Sequence, residues 1–116
     1  MKYALLIYED EAAMPQEGTP EAVEQFQAYY SFTEDINTEG IALGGEALSP
    51  TDTATTVRIR EGSVSYTDGP FAETKEQLGG FYLIDVEDFD AALAVAARIP
   101  GARTGSIEVR PVWVFN

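Results

Sequence analysis

Two stretches of this chain are apolar on both sides at once. In Tyr3 to Tyr8, Leu5 and Ile7 fall on one face of an extended strand, and Leu6 and Tyr8 fall on the other. In Gly80 to Val86, Phe81 and Leu83 oppose Tyr82 and Ile84 in the same way. Side chains alternate across a strand with a period of two, so strands of this kind must be covered on both faces.

The remaining pattern says what covers one of them. Thr19-Pro20-Glu21 is a helix start, with a Thr cap, Pro in the first turn and an acid at the positive end of the dipole. Val23, Phe26 and Tyr30, then Tyr29, Phe32 and Ile36, recur at helical spacing up to Gly40, a C-terminal stop. Asp88 caps a second helix through Ile99, with Phe89, Leu93 and Ala96 on one side and Pro100-Gly101 beyond it.

Ile41 to Leu48 reads as a strand whose Gly44-Gly45 pair marks a bulge or a close backbone approach. Ile107 to Val114 reads as the last strand. Thr55 to Arg60 and Ser63 to Thr67 alternate around Glu61-Gly62 and read as a hairpin. A two-residue turn there pairs Arg60 with Ser63, Ile59 with Val64, Arg58 with Ser65 and Val57 with Tyr66. Val57, Ile59, Val64 and Tyr66 then form an apolar row expected to face inward, with Asp68 at its end.

The order is β-α-β, a hairpin, then β-α-β. Without the hairpin this is the split β-α-β pattern of a ferredoxin-like α+β domain. At 116 residues one domain, spanning 1–116, is expected. Two helices cover one face of such a sheet; the other requires a second subunit or a ligand cavity. The tail Val112-Trp113-Val114-Phe115 is also too apolar to leave in water, so a homodimer is expected.

Composition excludes several functions. Seven Lys and Arg against twenty Asp and Glu give a net charge of −13. Eleven acids and no base lie between Tyr3 and Val57. Direct binding to nucleic acid, or to anionic lipid, is not expected of such a surface. The chain has no Cys and no His, which removes thiolate and imidazole chemistry, including the common catalytic triads. No cofactor and no metal are expected. The N-terminus lacks the long apolar run of a signal peptide, so a cytoplasmic location is expected.

Asp68 to Glu76 spells DGPFAETKE, followed by Gln77-Leu78-Gly79-Gly80-Phe81-Tyr82. With the Arg110-Pro111-Val112-Trp113 ending, the chain resembles the DGPFAETKE family of the YCII-related (DGPF domain) superfamily over essentially its whole length. The resemblance implies a ferredoxin-like subunit assembling as a dimeric α+β barrel. It also implies a link to extracytoplasmic-function sigma factors as protein partners. A His–Asp pair is the suspected catalytic unit of the wider superfamily; without His, that role does not carry over here.

The motif supplies the candidate residues. Asp68, Glu73 and Lys75 are the acid–base candidates, and Gly69, Pro70 and Phe71 are pocket candidates beside them. Glu46, Arg58 and Arg110 complete the set. Each also has a structural reading: Asp68-Gly69-Pro70 as a turn, Phe71 as core, Glu73 to Glu76 as a solvated cluster, and Arg110 as an ion-pair partner. The favoured function is a small-ligand-binding or regulatory module. The alternatives are an isomerase- or lyase-type enzyme using Asp68, Glu73 or Lys75, and an acidic module that docks on a basic protein.

Overall fold

The computed structural model describes residues 1–115. The first strand, β1 (Lys2–Glu9), holds the centre of a four-stranded sheet, between β5 (Gln77–Asp85) and β6 (Ser106–Pro111). β2 (Ala42–Ala47) pairs with the free side of β5, which gives the order β2-β5-β1-β6 with every neighbour antiparallel. Helices α1 (Pro20–Thr38) and α2 (Phe89–Ala96) connect these strands. The fold is α+β and compatible with the ferredoxin-like expectation. The hairpin β3 (Thr55–Arg60) and β4 (Ser63–Asp68) forms a separate two-stranded sheet. None of the described helices is long and apolar enough to cross a membrane.

Local chemistry accounts for the boundaries. The Thr19 hydroxyl accepts from the Ala22 amide and Pro20 opens α1; the Asp88 carboxylate accepts from the Ala91 amide and opens α2. α2 is shorter than its apolar spacing predicts. Arg98 and Ile99 donate to carbonyls three residues back, and Pro100 holds Ile99 in an extended conformation, so the helix tightens and stops after Ala96. β6 also stops early. Pro111 has no N–H, Val112 still donates to the Lys2 carbonyl, and β1 begins at Lys2, so the following residues have no strand to pair with.

The hairpin has the register that its two-residue turn predicts, with Arg60 opposite Ser63 and Val57 opposite Tyr66. Glu61 and Gly62 both take positive φ, the geometry that twists a hairpin correctly. In β2 the bulge falls between Ala42 and Gly44. At Gly45 an added Cβ would stand 2.6 Å from the Phe81 carbonyl oxygen, so the backbones meet there as the glycine pair predicts.

The core lies on one face of the sheet. Tyr3, Leu5 and Ile7 of β1 and Ile84 of β5 pack against Phe32 and Ile36 of α1, with Ala92, Val95 and Ala96 of α2 and Ile99 closing the end. Each large side chain buried there contributes roughly 1.5–3 kcal/mol. Of the two apolar stripes on α1, only Tyr29, Phe32 and Ile36 meet the sheet; Val23, Phe26 and Tyr30 are exposed. On the opposite face Ala4, Leu6 and Tyr8 stand beside Leu83, Phe81 and Leu78, and no element of the described residues covers them.

Candidate functional site

The buried row of β1 does not end with its apolar residues. Tyr3, Leu5 and Ile7 are followed at the same period by Glu9, which is 7% exposed and the one buried charged residue of the described chain. Across from it, the first half of α1 overhangs the inner face of β1, β5 and β2. A cleft of about 940 Å³ lies between them. Phe26, Tyr29, Tyr30 and Tyr82 supply its aromatic surface, and Met14 and Leu48 add apolar surface toward the loops. That combination of apolar walls and a few convergent polar groups is typical of small-molecule sites.

The polar groups of the cleft are tied to the scaffold. Tyr29 Oη donates to Glu9 Oε1 over a long 3.4 Å and accepts from the Gly101 amide at 3.1 Å. Thr33 and Tyr82 share a hydroxyl–hydroxyl hydrogen bond of 2.8 Å, and the Tyr82 ring stands edge-on to Phe32. Glu11 accepts from the Thr51 amide at 2.9 Å, and the Thr51 hydroxyl lies 2.8 Å from Glu11 Oε2 and 3.0 Å from Gln77 Oε1. Glu11 therefore fastens the loop before β3 beside the cleft. On its other side Glu9 borders a smaller hollow of about 400 Å³ that also takes in Arg103.

Burial pushes the Glu9 carboxyl above its ordinary value; the Tyr29 hydrogen bond opposes this, and the Glu76 charge adds to it. Burial also pushes the Tyr29 phenol up, reinforced by the Glu9 charge, so it remains protonated and able to donate. A carboxyl with a raised pKa in a cleft marks a candidate site, and in its charged form it can pair with a cation. Among the described residues no group of three or more His, Cys, Asp or Glu side chains gathers as a metal cluster.

The residues singled out from the motif occupy other places. Asp68 is exposed at the end of β4, opposite Thr55. Gly69 is held by its amide on the Ala54 carbonyl at 2.8 Å and by the Thr56 hydroxyl on its own carbonyl at 2.9 Å; its φ of 102° explains the glycine. Pro70 is half-buried, and Glu73 and Lys75 are exposed.

Phe71 corrects its structural reading. It is 80% exposed rather than core, with the Arg58 guanidinium 5.7 Å above its ring. The row of Val57, Ile59, Val64 and Tyr66 likewise faces outward, because the hairpin stands apart from the four-stranded sheet. Glu46 borders the cleft along β2, but its register places it on the Phe81 face. Arg110 lies at the opposite edge of the sheet and pairs with Glu108. Of these candidates, Arg58 and Phe71 are brought together in space, by the contact of guanidinium and ring.

Glu9, Tyr29, Gln77 and Tyr82 were not singled out from sequence. A signal for Glu9 was present: extending the strand by one residue places a carboxylate fourth in a row of buried side chains. The cleft itself depends on the overhang of α1, which no local pattern encodes.

The model of the YCII-related domain matches residues 1–116. An uncharacterised protein of Rhizobium meliloti (strain 1021) is 42% identical over 119 aligned positions, covering 100% of this chain and 95% of the relative. A match across the whole sheet, the cleft and the hairpin motif leaves one assignment: the chain belongs to the YCII-related domain family.

Proposed function

We propose that this protein is a small-ligand-binding module that works as a homodimer, with the cleft beneath α1 as its ligand site. The observation that carries this reading is Glu9, a nine-tenths buried carboxyl at an aromatic-walled cleft of about 940 Å³. A structural role alone explains it poorly, since an apolar side chain in the same row would pack without the cost of desolvation.

The homodimer is supported by the uncovered surface. Ala4, Leu6, Phe81 and Leu83 make one face of the central strands apolar, and a second sheet laid on it would close an α+β barrel. Trp113 and Phe115, stacked with centroids 5.3 Å apart, are 80% and 82% exposed in the single chain. Such a surface matches an interface better than a solvated exterior.

Mass spectrometry under non-denaturing conditions tests both parts. The expected result is a dimer that retains a small molecule, and Ala22→Trp, which fills the cleft from α1, releases the molecule without dissociating the dimer. A bare chain whose melting temperature responds to no compound of a fragment library overturns the ligand-binding reading.

A further inference from the structure

The lining of the cleft selects among ligands by charge. Glu9, Glu11 and Glu46 border it, with Gln16, Gln25 and Gln77 as neutral polar neighbours, and neither Lys nor Arg is among its lining residues. Glu11 is occupied by Thr51. Glu9 is not: its one side-chain hydrogen bond among the described residues is the long contact from Tyr29 to Oε1. Since no described buried side-chain oxygen is both sealed and unpartnered, Oε2 keeps access to solvent. A carboxylate this deep, beside Tyr29 in a cleft lined by aromatic residues and short of donors, matches a cationic group carried on an apolar body. Charge-assisted hydrogen bonds are stronger than neutral ones, and aromatic faces attract cations.

We propose that the cleft binds an organic amine, with the ammonium on Glu9 and the apolar body among Phe26, Tyr29, Tyr30 and Tyr82. This deepens the ligand-site reading and rests on it. Carboxylate- and phosphate-bearing molecules are excluded from this position, because no base borders the cleft to receive them.

Three probes of nearly equal shape test the assignment: tryptamine, 3-ethylindole and indole-3-propionate. Binding is measured by calorimetry on the intact protein in high salt, which screens the general attraction of a −13 chain for cations. Tryptamine is expected to bind about tenfold or more tighter than either analogue, and Glu9→Gln to reduce that advantage to about threefold or less. Asp90→Asn, which removes an acid distant from the lining, leaves the advantage intact.

Equal binding of the three probes, or preference for the propionate, with all of it weakened by Ala22→Trp, overturns the amine assignment and leaves the ligand site standing. Absence of binding, or binding that Ala22→Trp does not weaken, removes both. Should Glu9→Gln not fold, the order of the three probes on the unaltered chain decides the assignment alone.

Discussion

Glu9 concentrates the chemistry of the molecule in one side chain. Its folded-state pKa lies above the ordinary 4.5, with burial as the main cause. At acid pH, below the unfolded value, the group is neutral in both states and imposes no electrostatic penalty. As pH rises through the folded value, the unfolded chain gives up its proton more readily, and stability is lost. Glu9→Gln keeps the shape and removes the titration. The variant is therefore expected to match the parent in acid and to melt at a higher temperature near neutrality. Thermal melts of both proteins across the carboxylate range check this. A parent that gains on the variant as pH rises would contradict the account. Phe71 gives the opposite lesson at this scale. An aromatic residue inside a turn motif looks like core, yet burial depends on what else stands near it, and Phe71 stays 80% exposed with Arg58 over its ring.

Elements were more legible than their surroundings. The hairpin register followed from a two-residue turn, and the succession of strands and helices matched an α+β domain. The ends of α2 and β6 were overextended because apolar spacing continues past points where the backbone cannot: Pro100 stops one, and the end of the partner strand stops the other. The cleft was not legible at all. It exists where Ala22, Phe26, Tyr29 and Tyr30 of α1 stand over the sheet, and periodicity marks a stripe as apolar without saying what lies opposite. The caps are the local features most open to test. Asp88 Oδ1 accepts from the Ala91 amide at 2.8 Å, and Asp88→Ala is expected to lower stability by about 1 kcal/mol. Chemical denaturation measures that loss. No change in the midpoint would show that α2 is held by its packing alone.

At the scale of the whole molecule, the single chain is spread thin. Its Cα radius of gyration is 16.1 Å, against about 13 Å for a compact domain of this length. Its extents of 48 × 47 × 19 Å describe a plate, with the hairpin forming a sheet of its own. The homodimer proposal predicts that Trp113→Asp shifts the protein toward monomer at micromolar concentration while the helical circular-dichroism signal is kept. Light scattering reads the first and spectroscopy the second. A parent chain that is already monomeric in that range would refute the proposal.

The central position of β1 also sets a timetable. Both of its partner strands come late in the chain, one after Glu76 and the other near the end, and its N-terminal amine bonds to Asp85 and the Val86 carbonyl. At roughly 5–20 residues per second on the ribosome, β1 waits several seconds before β5 has been made. During that interval a strand apolar on both faces has no partner strand within its own chain. Shielding by chaperones, rather than rapid local pairing, is what this topology asks of the cell that makes it.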